Sequence, residues 1–114
     1  MKEIQSEVPT RYARALLDVA GEHKLSPRTL LAEIELIEQI TQGNPQLYRF
    51  LSNPVLSVKT KQSVLDAVLS KAISPVLLDF LKLLLEKRRE AALILVIRQA
   101  KEMLRKAIGL LKSR

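Results

Sequence analysis

The chain has no cysteine, no tryptophan, only two phenylalanines and two tyrosines, three glycines and one histidine. Each shortage excludes a class of chemistry. Without cysteine there are no disulfides, thiolate metal ligands or sulfur nucleophiles, and the redox compartment stays open. Three glycines scattered along 114 residues cannot assemble a phosphate-cradling loop. The lone histidine, His23, falls near an expected helix end with no Ser or Asp partner in pattern, so it reads as a helix-terminal residue rather than a base or ligand. The scarcity of aromatics forces an aliphatic core and leaves no ring among the charges to stack on bases. The opening stretch, MKEIQSEVPTRY, lacks the apolar segment of a signal peptide. No run approaches the roughly 20 apolar residues needed to span a bilayer. The expectation is a soluble, non-enzymatic domain without cofactor or metal.

What is present points to helices. Hydrophobic residues make up 47% of the chain, with only five prolines, which favours one compact helical domain over residues 1–114. No segment alternates with period two and no turn pair suits a hairpin, so the fold class is all-α, with no sheet. The formal charge of +7 is uneven: from Glu86 onward nine Lys/Arg face three Glu, whereas the first 85 residues carry ten against nine acids. Such asymmetry suits an acidic partner, an anionic membrane or nucleic acid, or simply a solvated basic face, and the last is favoured because no aromatics interleave the charges.

The chain is organised around Ser74–Arg89. Between Val76 and Leu85 only Asp79 and Lys82 are polar, so apolar residues fall at every angle of the turn and the helix should be buried on most sides. Ser74 is placed to cap it and Pro75 suits its first turn. Other helices are punctuated in the same way. The first is expected from about Pro9 to His23, with Tyr12, Leu16 and Val19 on one stripe beside Ala15, and Ala13, Leu17 and Ala20 on an adjacent one. The second opens at Ser26-Pro27 and buries Leu30, Ile34, Ile37 and Thr41, leaving Glu33, Glu35 and Glu38 as a solvated face. Gly43-Asn44-Pro45 ends it and caps a short third helix, Gln46 to Leu51, which inserts Leu47, Phe50 and Leu51. Val55-Leu56 should be extended up to a cap at Ser57. A fourth helix, about Val58 to Lys71, should bury Leu65, Val68 and Leu69 with Lys59, Lys61 and Lys71 pointing outward.

From Val76 to Ile108 there is neither Gly nor Pro, so periodicity alone permits one very long helix; the charge cluster Glu86–Glu90 is the expected break. Beyond it Leu93, Ile97, Ala100, Leu104, Ala107 and Leu111 repeat in steps of four and three, opposite Arg98, Lys101, Glu102, Arg105 and Lys112. A basic amphipathic helix of this kind can lie on anionic lipid, though packing on its own bundle is the commoner fate.

In order and spacing, Arg11-Tyr12-Ala13, Ala15-Leu16 and Ala20, then Asn44-Pro45, Leu47, Phe50-Leu51 and Pro54, then Lys61 and Val64-Leu65, then Phe80-Leu81, Leu83-Leu84, Glu86-Lys87 and Arg89 resemble the amino-terminal domain of the ATP synthase delta subunit, or oligomycin-sensitivity-conferring protein, family. The resemblance covers roughly residues 8 to 100. It implies a six-helix bundle that binds the amino-terminal helix of an alpha subunit in a groove between its first and fifth helices, on top of the catalytic head. The implied role is mechanical: a peripheral stalk that holds the head against the rotor. The implied location is peripheral to the inner membrane through the complex: cytoplasmic, or in the matrix or stroma of an organelle. Carried onto this chain, the groove residues are Tyr12, Ala15, Leu16 and Val19 with Val76, Asp79 and Leu83. Family members carry a further, stalk-binding domain that is not expected within these 114 residues. Arg88 stands where the family usually has glycine, a proline expected early in helix six is missing, and Asp79 replaces a common asparagine. The domain is expected to be monomeric on its own, and the competing readings are a stand-alone or designed helical bundle with no partner and a basic helical adaptor for nucleic acid or anionic membrane.

Overall fold

A computed structural model describes the backbone of residues 2–112 and the side chains of residues 8–109. Six α-helices follow one another: α1 (Lys2–Glu22), α2 (Pro27–Gly43), α3 (Pro45–Ser52), α4 (Val58–Leu69), α5 (Pro75–Glu86) and α6 (Leu93–Lys112), with a 3-10 turn at Glu90–Ala92 leading into α6. No strand occurs among the described residues. The all-α, six-helix expectation holds.

Local chemistry explains most of the boundaries. The Ser26 and Ser57 side chains accept the backbone N–H groups of Thr29 and Thr60, so two helices start on a serine cap. Proline occupies the first turn of α2, α3 and α5, where its missing N–H leaves nothing unpaired. Two helices end on a left-handed residue that is not glycine. After α1, Lys24 has φ 60°, while Leu25 N–H donates to the Ala20 carbonyl at 2.8 Å and Lys24 N–H to Gly21 at 3.0 Å. After α5, Arg88 has φ 57°, with Arg89 N–H donating to Leu84 at 2.9 Å and Arg88 N–H to Leu85 at 3.1 Å. Both are Schellman endings, in which a left-handed residue turns the chain back so that late carbonyls find donors. The break expected at Glu86–Glu90 therefore exists, with an arginine doing what glycine does more easily.

Several expectations are corrected. Helix α1 starts at Lys2 and carries Pro9 inside it, because losing one backbone donor does not stop a helix whose flanking turns remain bonded. Val55-Leu56 is not extended: Pro54 and Val55 form a turn in which the Asn53 Oδ1 accepts the Val55 N–H at 3.0 Å. Helix α4 ends at Leu69, before Lys71, and Val68 is 40% exposed. On α6 the buried set is Leu93, Val96, Ile97, Ala100, Leu104 and Ile108, whereas Ala107 is exposed. The Leu111 and Lys112 side chains and Arg114 lie outside the described residues. Ser74 does not cap α5 with its own hydroxyl; its N–H and hydroxyl both donate to Glu33 Oε1 at 3.0 Å. The Glu33–Glu38 face is thus not simply solvated: Glu33 sits at the positive end of α5, and Glu38 pairs with Lys101 of α6 at 2.8 Å.

The core is aliphatic. Helix α5 lies against α4 and α1, and α6 against α1 and α2. Six of the twelve residues of α5 are buried: Leu77, Leu78, Phe80, Leu81, Leu84 and Leu85. Ala13, Leu16 and Ala20 of α1, Leu30, Ile34 and Ile37 of α2, and the buried stripe of α6 complete a single cluster.

Lys61, expected on the surface, is wholly buried with 0% exposure. It falls in line with Leu65 and Leu69 at spacings of four, so its stem shares their core face. Its Nζ meets Glu90 Oε2 at 3.2 Å, and the Arg88 guanidinium approaches the same oxygen at 3.4 Å. Arg88 also donates to the Pro54 carbonyl at 2.8 Å. Burial pushes the Glu90 carboxyl upward, but its own backbone N–H, Lys61 and Arg88 together outweigh this and hold it below the usual range.

Two outcomes are expected. Lys24→Gly relieves the left-handed strain at an exposed site and should raise stability by about 1 kcal/mol, read as a melting point about 4 °C higher. Glu90→Ala strands the buried Lys61 charge and should cost about 3–5 kcal/mol; Lys61→Ala, which leaves Glu90 its contact with Arg88, should cost less, and Lys61→Met with Glu90→Leu should restore or exceed the parent stability. Denaturant melts across pH add a check. A carboxyl depressed on folding contributes stability that is complete above its unfolded pKa and lost as pH falls through its folded value, so Glu90→Gln should flatten the acid limb of the profile.

Candidate functional site

Helices α1 and α5 run antiparallel: Val19 of α1 and His23 just past it meet the start of α5, while Val8 to Ala15 approach Arg89, just past the end of α5. Their cores face inward and their outer edges leave a seam with two hollows. One, of about 490 Å³, is lined by Val19, His23, Pro75, Val76, Asp79, Phe80 and Leu83. The other, of about 280 Å³, is lined by Val8, Arg11, Tyr12, Ala15 and Arg89. On α1 the lining recurs as Val8, Tyr12, Ala15, Val19 and His23, in steps of three and four that trace one face. From Val8 to His23 that face is about 22 Å long, some four helical turns.

Six of the seven residues expected in this groove line the hollows: Tyr12 and Ala15 in one, Val19, Val76, Asp79 and Leu83 in the other. Ala15 and Asp79 are exposed, Tyr12, Val19 and Val76 half-buried, and Leu83 is 39% exposed. Leu16 differs. It has 0% exposure and packs into the core, so it supports the floor from beneath and does not reach the surface of the seam. The helical wheel missed this because Leu16 sits one step from Ala15, on the side that α1 turns toward the core.

Val8, Arg11, His23, Pro75, Phe80 and Arg89 were not foreseen. Val8 was lost with the expected helix start at Pro9. His23 stands four residues after Val19, a spacing that was legible. Arg89 had no local signal, since only the reversal after α5 carries it toward α1.

The groove has a charge gradient, with Asp79 toward one end and Arg11 and Arg89 toward the other. No group of three or more His, Asp or Glu side chains among the described residues is arranged to hold a metal. An apolar trough with polar ends is the geometry that receives an amphipathic helix.

The bundle is an all-helical domain with a seam along α1 and α5, and sequence comparison places it in a family. The model of the ATP synthase delta (OSCP) subunit family matches residues 8–113, and the chain belongs to that family. It is 40% identical over 87 residues to ATP synthase subunit delta of Syntrophus aciditrophicus, covering 75% of this chain and 48% of that protein. It is 34% identical over 99 residues to the subunit of Gloeothece citriformis, covering 87% and 53%. To that of Microcystis aeruginosa it is 35% identical over 86 residues, covering 75% and 47%. The chain spans about half the length of these relatives.

Proposed function

We propose that this domain is a non-catalytic part of the peripheral stalk of an F-type ATP synthase, and that its α1–α5 groove holds the amino-terminal helix of an alpha subunit. Family membership supports the first half. The second half rests on one observation: a four-turn apolar seam remains uncovered by the bundle, lined at helical spacing by Tyr12, Ala15, Val19, Val76 and Leu83. An isolated apolar stripe of that length on a basic, well-packed bundle is the kind of surface that another chain covers.

The mechanism needs no chemistry at the site. A rotor turning inside a catalytic head exerts torque on the head, and the head must be held for that torque to drive nucleotide chemistry elsewhere. A helix seated in a rigid trough resists sliding because its i, i+3, i+4 and i+7 side chains interlock with the trough's own periodic walls. The positive amino-terminal end of the occupant suits the Asp79 end, and its negative carboxy-terminal end suits Arg11 and Arg89. None of the helices among the described residues is long and apolar enough to cross a membrane, and membrane association in this reading comes through the complex.

Ala15 decides the matter experimentally. It is exposed and its small side chain lets a partner backbone approach closely. Ala15→Arg should abolish binding of an alpha-subunit amino-terminal peptide, measured by calorimetry, while leaving the melting temperature nearly unchanged. Undiminished affinity in this variant would remove the groove from the proposal. So would a large fall in melting temperature, since that would mean the bundle itself covers Ala15.

A further inference from the structure

Another hollow, of about 630 Å³, lies away from the α1–α5 seam and shares no residue with it. It is built where the end of α2, the start of α3, the 3-10 turn and the start of α6 converge. Its apolar lining is Pro45, Tyr48, Ala91, Ile94 and Leu95, and it is flanked by Arg49 and Arg98. Tyr48 is 42% exposed and Leu95 is 47% exposed, so the two largest apolar groups here are left half open. Among the described residues neither guanidinium has an ion pair or hydrogen bond, and no acidic residue lines the hollow.

We propose that this hollow docks a short acidic amphipathic helix of a protein partner, its aliphatic anchors on Tyr48, Ile94 and Leu95 and its flanking carboxylates on Arg49 and Arg98. Charge selects the occupant. Two unpaired guanidiniums beside an apolar floor match carboxylates set one turn from leucine-type anchors, the i, i+3, i+4 pattern of an acidic amphipathic helix. A second copy of this chain is disfavoured because it brings a formal charge of +7 to a basic rim. A nucleic acid strand is disfavoured because the floor between the arginines is largely aliphatic, offering one ring for stacking.

Arg49 and Arg98 are cations available on both flanks of one apolar hollow.

The probe is a synthetic peptide of about 15 residues with leucines at i, i+3, i+4 and i+7 and glutamates flanking that stripe. A sibling peptide carries glutamine for every glutamate. Titrated into the full chain, the glutamate peptide should shift amide signals around Tyr48, Ala91 and Leu95. The glutamine sibling should bind about tenfold more weakly, as should the glutamate peptide to the Arg49→Glu, Arg98→Glu double variant. Exposed and unpaired, those arginines can be reversed without loss of melting temperature, and a lysine-flanked peptide should then bind the double variant better than the glutamate peptide does. Ala15→Arg should leave all of these affinities unchanged, which separates this site from the α1–α5 groove. Three results overturn the proposal: no binding, shifts confined to α1 and α5, or equal affinity for the glutamate and glutamine peptides. Competition by an oligothymidine at the same amide signals also overturns it, in favour of an anion-binding surface.

Discussion

The contact between Lys61 and Glu90 governs how this bundle closes. It joins α4 to the turn before α6 across 29 residues, at 3.2 Å, with the lysine fully buried and the carboxylate nearly so. A buried ion pair is a poor source of net stability, since desolvating both charges offsets their attraction. It is a strong source of position, because either charge left alone inside the core is intolerable. Where Lys61 goes, Glu90 must follow. Arg88 adds a second tether through the Pro54 carbonyl at 2.8 Å, so the reversal after α5 is held from the α3–α4 loop and from α4 at once.

That reversal has consequences for the whole surface. With the chain turned back after Glu86, α6 lies on α1 and α2 and leaves the outer edge of α5 without an internal neighbour. Helix α5 carries more apolar surface than α4 and α1 can cover, and the surplus at Val76 and Leu83 becomes one wall of the seam. The same turn places Arg89 at the far end of that seam and Ala91 in the separate hollow beside Tyr48. The seam and the separate hollow thus both take part of their lining from one local reversal. The turn itself is braced by the buried Lys61–Glu90 contact and the exposed Arg88–Pro54 hydrogen bond.

Much of the architecture was legible because helix boundaries are local chemistry. Ser26-Pro27, Asn44-Pro45, Ser57 and Ser74-Pro75 each mark a start, and each start is observed. Pro9 misled, since the same residue that favours a first turn is also tolerated inside α1. The groove residues were legible as stripes, yet Leu16 and Ala15, adjacent in sequence, proved to be core and surface. Lys61 was misread on charge alone, although its spacing from Leu65 and Leu69 already put it on the core face. Glu33 and Glu38 were misread for the opposite reason: their partners, Ser74 and Lys101, lie 41 and 63 residues away.

By itself the sequence determined where α2 to α5 begin, how wide the apolar faces are and which chemistries are excluded, because caps, proline geometry and side-chain periodicity act within a few residues. Only the tertiary structure decided which part of each apolar face is covered. Leu83 and Val68 were as apolar as Leu84 and Leu69, and one of each pair stays at the surface. Coverage depends on which helix arrives from elsewhere in the chain, and that is set by reversals such as Lys87–Glu90 and by long-range pairs such as Lys61 with Glu90. Periodicity measures the width of a stripe; it carries no record of the neighbour that lies on it.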